Sequence, residues 1–153
     1  MNKSQNYQDW IDTGYELFAR HGLESMQIER LARILDLNKS GFYHYFGDLN
    51  KFFEHLIQHH HHRIDHMVKE IENIQSIDPD YLLLMLKHHV TVMVNMQLLR
   101  NRHKKLFECA FSEASHKIDS ALVPMCSVHL GIPDQPELAL SYLKMARDVF
   151  YAR

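Results

Sequence analysis

The chain has 153 residues, enough for one domain or for one domain with a small attached head. Hydrophobic residues make up 46% and charged residues 24%, a balance that excludes an intrinsically disordered chain. Only 5 Gly and 4 Pro interrupt it, too few turn formers for a sandwich or barrel, and the formal net charge of -2 gives no global basic field. No window reaches the ~18 uninterrupted apolar residues of a membrane span, and no charged-then-apolar leader opens the chain, so a cytoplasmic location is expected. Cys109 and Cys126 lack metal or redox spacing and read as reduced, buried thiols.

Taken in order, Tyr7, Trp10, Ile11, Gly14, Leu17 and Phe18 predict a first helix over about residues 5–20, stopped at His21-Gly22. Ile28, Leu31, Ala32 and Leu35 line a short second helix. After Asp36-Leu37, Asn38 is a suitable N-cap for a short third helix that turns Phe42 and Phe46 inward. Asp48 then caps a long fourth helix reaching about Ile74. Pro79 opens a fifth over residues 80–100, apolar nearly all round and so expected at the centre of a bundle. A sixth is expected over 103–118, a separate short one over 120–130 around Pro124, and a last one carrying Leu138, Tyr142, Ala146, Val149 and Phe150, still running at Arg153.

Histidine is the unusual count, with 13 residues and a run from His59 to His62. On the fourth helix, Phe53, Ile57, His60, Ile64, Met67 and Ile71 share the apolar side, which makes His60 a hydrogen-bonded core residue. His55, His59, His62 and His66 share the opposite side as two one-turn pairs. That spacing suits Zn2+, Ni2+ or Cu2+ and makes them candidate metal ligands in a metal- or pH-sensing surface; the same pattern also fits a plain solvated face, since no carboxylate or thiol completes the set.

The two short helices, supported by the first, describe a helix-turn-helix. Its outward face would consist of Asn38, Lys39, Ser40, Gly41, Tyr43 and His44. Asn38 and Ser40 can donate to phosphate or base, Lys39 supplies charge, and Tyr43 and His44 reach backbone oxygens. The stretches Gly22-Leu23-Glu24-Ser25, Ile28-Glu29-Arg30-Leu31-Ala32 and Leu37 to Phe46 resemble the TetR family of bacterial transcriptional regulators, over about residues 7–55. The resemblance implies that Gln27 contacts phosphate, that Lys39, Tyr43 and His44 contact the DNA backbone, and that Ser40 and Gly41 approach bases. Asp36 departs from it, standing where the family usually has Gly. Lys51 is the nearest cation to the lysine that usually opens the fourth helix. Residues 1–55 carry six Lys/Arg (Lys3, Arg20, Arg30, Arg33, Lys39, Lys51) against eight Asp/Glu, so recognition must rest on a few focused cations.

The expected architecture is therefore all-α. Residues 1–47 form a three-helix helix-turn-helix head, 48–75 a connector helix, and 76–153 a helical ligand-binding and dimerisation domain, shorter than the family's usual one. By the same resemblance the partners are a double-stranded DNA operator, a second copy of the chain and a small-molecule effector, with no cofactor. Met85, His89, Val92, Met93, Met96, Phe107 and Phe111 are candidates to line an effector pocket, or to be ordinary core. No catalytic triad, phosphate loop or carboxylate pair has usable spacing, and no enzyme is expected. A helical protein-interaction module built on the same fold is the rival reading.

Overall fold

A computed structural model describes residues 3–151, all of whose regular elements are helical. Eight helices follow in order: α1 (Lys3–His21), α2 (Ile28–Leu35), α3 (Lys39–Phe46), α4 (Leu49–Ile71), α5 (Leu82–Lys87), α6 (His89–Arg100), α7 (Lys105–His129) and α8 (Pro136–Tyr151). The continuation of the last helix to Arg153 lies outside the described residues. Among those described, no single helix is long and apolar enough to cross a membrane.

The apolar stripe of α1 buries Trp10, Ile11, Leu17 and Phe18. They meet Leu31 and Ala32 of α2, Phe42 and Phe46 of α3, and Phe52, Phe53 and Leu56 of α4. The same cluster continues into Val90, Val94 and Leu98 of α6 and Phe107 and Ala110 of α7. Phe18, Phe53 and Phe107 make a three-ring contact at 5.2–5.7 Å between centroids, so the head is packed onto the body through buried aromatics. A second cluster lies farther along α4, where Met67 and Ile71 meet Leu84 and Leu122.

Four element boundaries differ from expectation. α4 stops at Ile71, where the Asn73 side-chain amide donates to the Lys69 carbonyl at 2.7 Å and Ile74 turns into the second cluster. Pro79 falls within a π-type turn rather than in the first turn of an α-helix. Asp78 is extended (φ -120, ψ 118), as the residue before a proline prefers, and a π-type turn over Ile77–Tyr81 leads into α5. The single central helix over 80–100 is two helices bent by 83° at His88, which leaves Leu82, Leu83 and Leu86 exposed. Conversely, 103–118 and 120–130 are one helix. Pro124 and Ser120, whose carbonyl loses its N–H partner to the proline, both face solvent, so that carbonyl is open to solvent and α7 runs through.

The last helix also sits differently. Ala139 and Leu143 pack against the body, whereas Leu138, Tyr142, Val149 and Phe150 of the expected inward stripe are exposed. Cys126 is buried and free, but Cys109 is exposed, one step outside the buried Phe107 and Ala110 face of α7.

Candidate nucleic-acid interface and effector cavity

The angle between α2 and α3 is set by a left-handed residue. Asp36 takes φ 53, ψ 40, and the Leu37 N–H then reaches the Ala32 carbonyl at 3.0 Å, closing α2. A side chain here is strained where Gly would be free, so the departure at this position is tolerated without relaxing the turn. Asn38 opens α3 by accepting the Ser40 N–H at 2.9 Å, which occupies its side-chain oxygen and leaves its amide group to donate outward. Phe42 stacks edge-on to Trp10 at 5.4 Å, and both Phe42 and Phe46 meet Phe52.

With those rings inward, Lys39, Ser40, Tyr43 and His44 project from α3 into solvent. Gln27 is exposed at the N-cap of α2, and Lys51 is exposed in the first turn of α4. Gly41 differs from this set. It is half-buried, and a Cβ there would stand 3.9 Å from Trp10 Nε1, so the position faces α1 rather than outward.

Electrostatically, the face is held in check. Lys39 Nζ is 3.1 Å from Glu29 of α2, and Lys51 Nζ is 2.8 Å from Glu54. The Glu29 carboxyl lies below the usual carboxylate range, through a backbone hydrogen bond first and Lys39 second; Glu54 pushes Lys51 up. Both expected phosphate-binding lysines therefore carry an internal counter-charge that DNA must displace. Arg30 and Arg33 of α2 make no ion pair among the described residues.

Two short helices crossing at a tight turn, with one polar face free and the other locked on an aromatic core, define a helix-turn-helix DNA-binding head. Residues 11–56 match the family model described as bacterial regulatory proteins, tetR family. The head carries the DNA-binding region of that family, which supports a DNA-binding transcriptional regulator. No curated protein and no solved structure matches the chain.

In the body, a cavity of 220 Å³ opens between α4, α6, α7 and α8. Ile64, Met67, Met85, Val92, Ile118 and Leu122 give it apolar walls. Its polar groups include Thr91 and Asn95 from α6, Ser115 and Asp119 from α7, and Arg147 from α8, besides Tyr81 and Tyr151. Arg147 Nη1 meets both carboxylate oxygens of Asp119 at 2.7 Å, while Ser115 Oγ and Arg147 Nε are buried without a hydrogen-bond partner among the described residues. Such orphaned groups normally find a water or a ligand.

Of the residues expected at a pocket, Met85 and Val92 line this cavity. The others do not. Phe107 is in the head–body core, Met93 and Phe111 pack against that core, Met96 borders a shallower depression with Leu99 and Tyr151, and His89 is exposed. The apolar stripes pointed to core, and core is where these side chains went. The readable signal for the cavity was the reverse pattern: polar residues one turn apart on inward faces, Thr91 with Asn95 and Ser115 with Asp119.

The histidine face is also divided. His55 is half-buried against the Tyr7 hydroxyl at 2.8 Å, and His59 stacks edge-on to Tyr15 at 4.9 Å, so α1 covers both. Only His62 and His66 of that set are exposed. His60 is fully buried and bonds the Tyr15 hydroxyl. His66 lies beside Glu70 and His88, two residues the sequence pattern did not single out.

Proposed function

We propose that this regulator is a repressor that binds a palindromic operator as a homodimer and releases it when a small molecule enters the body cavity. The observation that carries the reading is the free polar face of α3, with Asn38, Lys39, Ser40, Tyr43 and His44 presented by the tetR-family head. In it, Lys39, Tyr43, His44, Gln27 and Lys51 hold phosphates, while Asn38 and Ser40 reach base edges. Gly41, on the α1 side of the helix, is left out of this contact set.

The chain then divides by role: residues 1–47 read DNA, 48–75 connect, and 76–153 bind the effector and the second copy. Leu138, Tyr142, Met145 and Val149 form an exposed stripe along α8, the surface for that second copy. The effector is largely apolar, with a polar end that meets Ser115 and the Asp119–Arg147 pair. Its entry is felt in the head because α4 and α6 each have a face on the cavity and a face on the head core. A polar path runs the same way, since Thr91 of the cavity wall accepts from Arg63 Nε at 2.9 Å and the Arg63 guanidinium lies 5.0 Å over the Tyr15 ring of α1. The effector must bind the DNA-competent and DNA-incompetent arrangements unequally.

The test is selection of bound duplexes from a random pool at low salt. An enriched palindrome, with binding weakened in Lys39→Ala and Tyr43→Ala, is the expected result. Absence of any enriched palindrome overturns the reading in favour of a protein-binding module.

A further inference from the structure

We propose that His66, Glu70 and His88 form a binding site for a divalent transition-metal ion, which clamps α4 to the junction of α5 and α6. Their nearest ligand atoms all lie within 4.8 Å of one another. His88 Nε2 donates to Glu70 Oε1 at 2.9 Å, and His66 Nδ1 stands 3.1 Å from the same oxygen. Bonds of ~2.0–2.1 Å at tetrahedral angles put neighbouring ligand atoms about 3.3 Å apart, so the two short contacts to Glu70 need open only slightly to admit an ion.

The donor set is chemically complete for such an ion. Two imidazoles and a carboxylate suit Zn2+ and its neighbours better than Mg2+ or Ca2+, which favour all-oxygen shells. His66 and Glu70 are one helical turn apart on α4, and the third ligand comes from the bend residue between two other helices. Glu70 also divides its oxygens: Oε2 is held by Lys87 Nζ at 2.6 Å, which fixes the carboxylate plane and leaves Oε1 for the ion. When the ion binds, each ligating ring nitrogen gives up its proton, and the other nitrogen of a neutral imidazole carries one instead.

The site is open to exchange. The His66 side chain is 69% exposed and that of His88 is 11% exposed, so the ion has a protein floor and a solvent-facing fourth position. It differs from a ladder along one face of α4, because His55 and His59 are covered by α1. Its location gives binding a consequence: His88 caps the start of α6, whose next turns carry Thr91, Val92 and Asn95 into the cavity.

The probe is Zn2+, titrated by calorimetry into the full chain freed of metal by chelation. One ion per chain is expected, with affinity weakened at least about tenfold in His66→Ala and in Glu70→Gln, and unchanged in His62→Ala. Zn2+ should raise the thermal midpoint of the parent chain but not of His66→Ala; its exposed position lets that variant fold, which far-ultraviolet circular dichroism verifies. Absence of stoichiometric binding to the parent chain overturns the proposal. So does binding that survives in His66→Ala and falls in His62→Ala, which would place the ion on the exposed α4 ladder. These outcomes are independent of whether the chain selects a palindrome.

Discussion

The hydroxyl of Tyr15 on α1 and Nδ1 of His60 on α4 are joined by a 2.7 Å hydrogen bond across 45 positions of sequence, inside a fully buried part of the core. Burial pushes the His60 imidazole down to about 3, with His61, His59 and Arg63 acting the same way and the Asn95 side chain opposing. The ring is thus neutral when folded, whereas an unfolded histidine takes up a proton near pH ~6.5. Between those values the unfolded chain binds more protons, so stability is full above about pH 6.5 and falls as the pH drops towards 3. The slope from this residue is about 1.4 kcal/mol per pH unit, and His59, lowered chiefly by burial, adds to it in the same direction. Urea unfolding at pH 7.5, 6.0 and 5.0 should show the loss, and His60→Gln should flatten it. An unaltered slope in that variant would refute the assignment.

Glu29 holds Lys39 in the free protein, and DNA must take the lysine away from it. Glu29→Gln should therefore bind duplex DNA about two- to fivefold more tightly at low salt, an advantage that fades as salt rises. Lys39→Ala should do the opposite and lower the salt slope by about one unit per half-site. Electrophoretic mobility shifts over a salt series read both. Equal affinities for Glu29→Gln and the parent chain would show that the ion pair does not restrain the lysine.

Gly14 of α1 allows the closest approach to α4. A Cβ there would stand 2.5 Å from Phe52 Cζ, and the Phe52 ring is enclosed by Phe42 and Phe46 at 5.0 and 4.8 Å. The ring has no room to withdraw, so Gly14→Ala should destabilise the fold by about 1–3 kcal/mol despite alanine's better helix propensity. Chemical denaturation measures this directly; a stabilised variant would mean that α1 and α4 separate easily.

Tyr142 and Val149 lie in the exposed stripe of α8. Tyr142→Glu and Val149→Glu should shift the molecule from dimer to monomer in sedimentation velocity, with little change in the thermal midpoint measured at low concentration. Operator affinity should fall with the dimer, because each head alone holds half a site. A dimer that persists in both variants places the second copy elsewhere.

Much of the head was legible because its information is local. Asn38 caps α3, Asp36 ends α2, and the spacing of Leu31, Phe42 and Phe46 fixes which face of each short helix is buried. The resemblance carried by the Leu37–Phe46 stretch rests on that same local order, and the family match spans it. The body was read less well because its signals are mixed. Residues 80–100 are apolar nearly all round, so periodicity shows no break, yet the helix bends at His88 where its ring meets Glu70, 18 positions earlier. The stretch around Pro124 read as a separate short helix, but the solvent-facing position of the proline lets α7 run through.

By itself, the sequence determined the all-helical class, the helix-turn-helix and, Gly41 apart, the outward residues of its third helix, since caps, turns and one-turn periodicity are properties of neighbouring residues. Tertiary structure alone decided which apolar side chains became core and which became cavity, and which stripe of α8 stayed uncovered. It also split the histidines: His55 and His59 went against α1, His60 into the core, and His66 beside Glu70 and His88. The reason is that burial and pairing across helices depend on which faces meet, and a helical wheel shows a face without showing its partner.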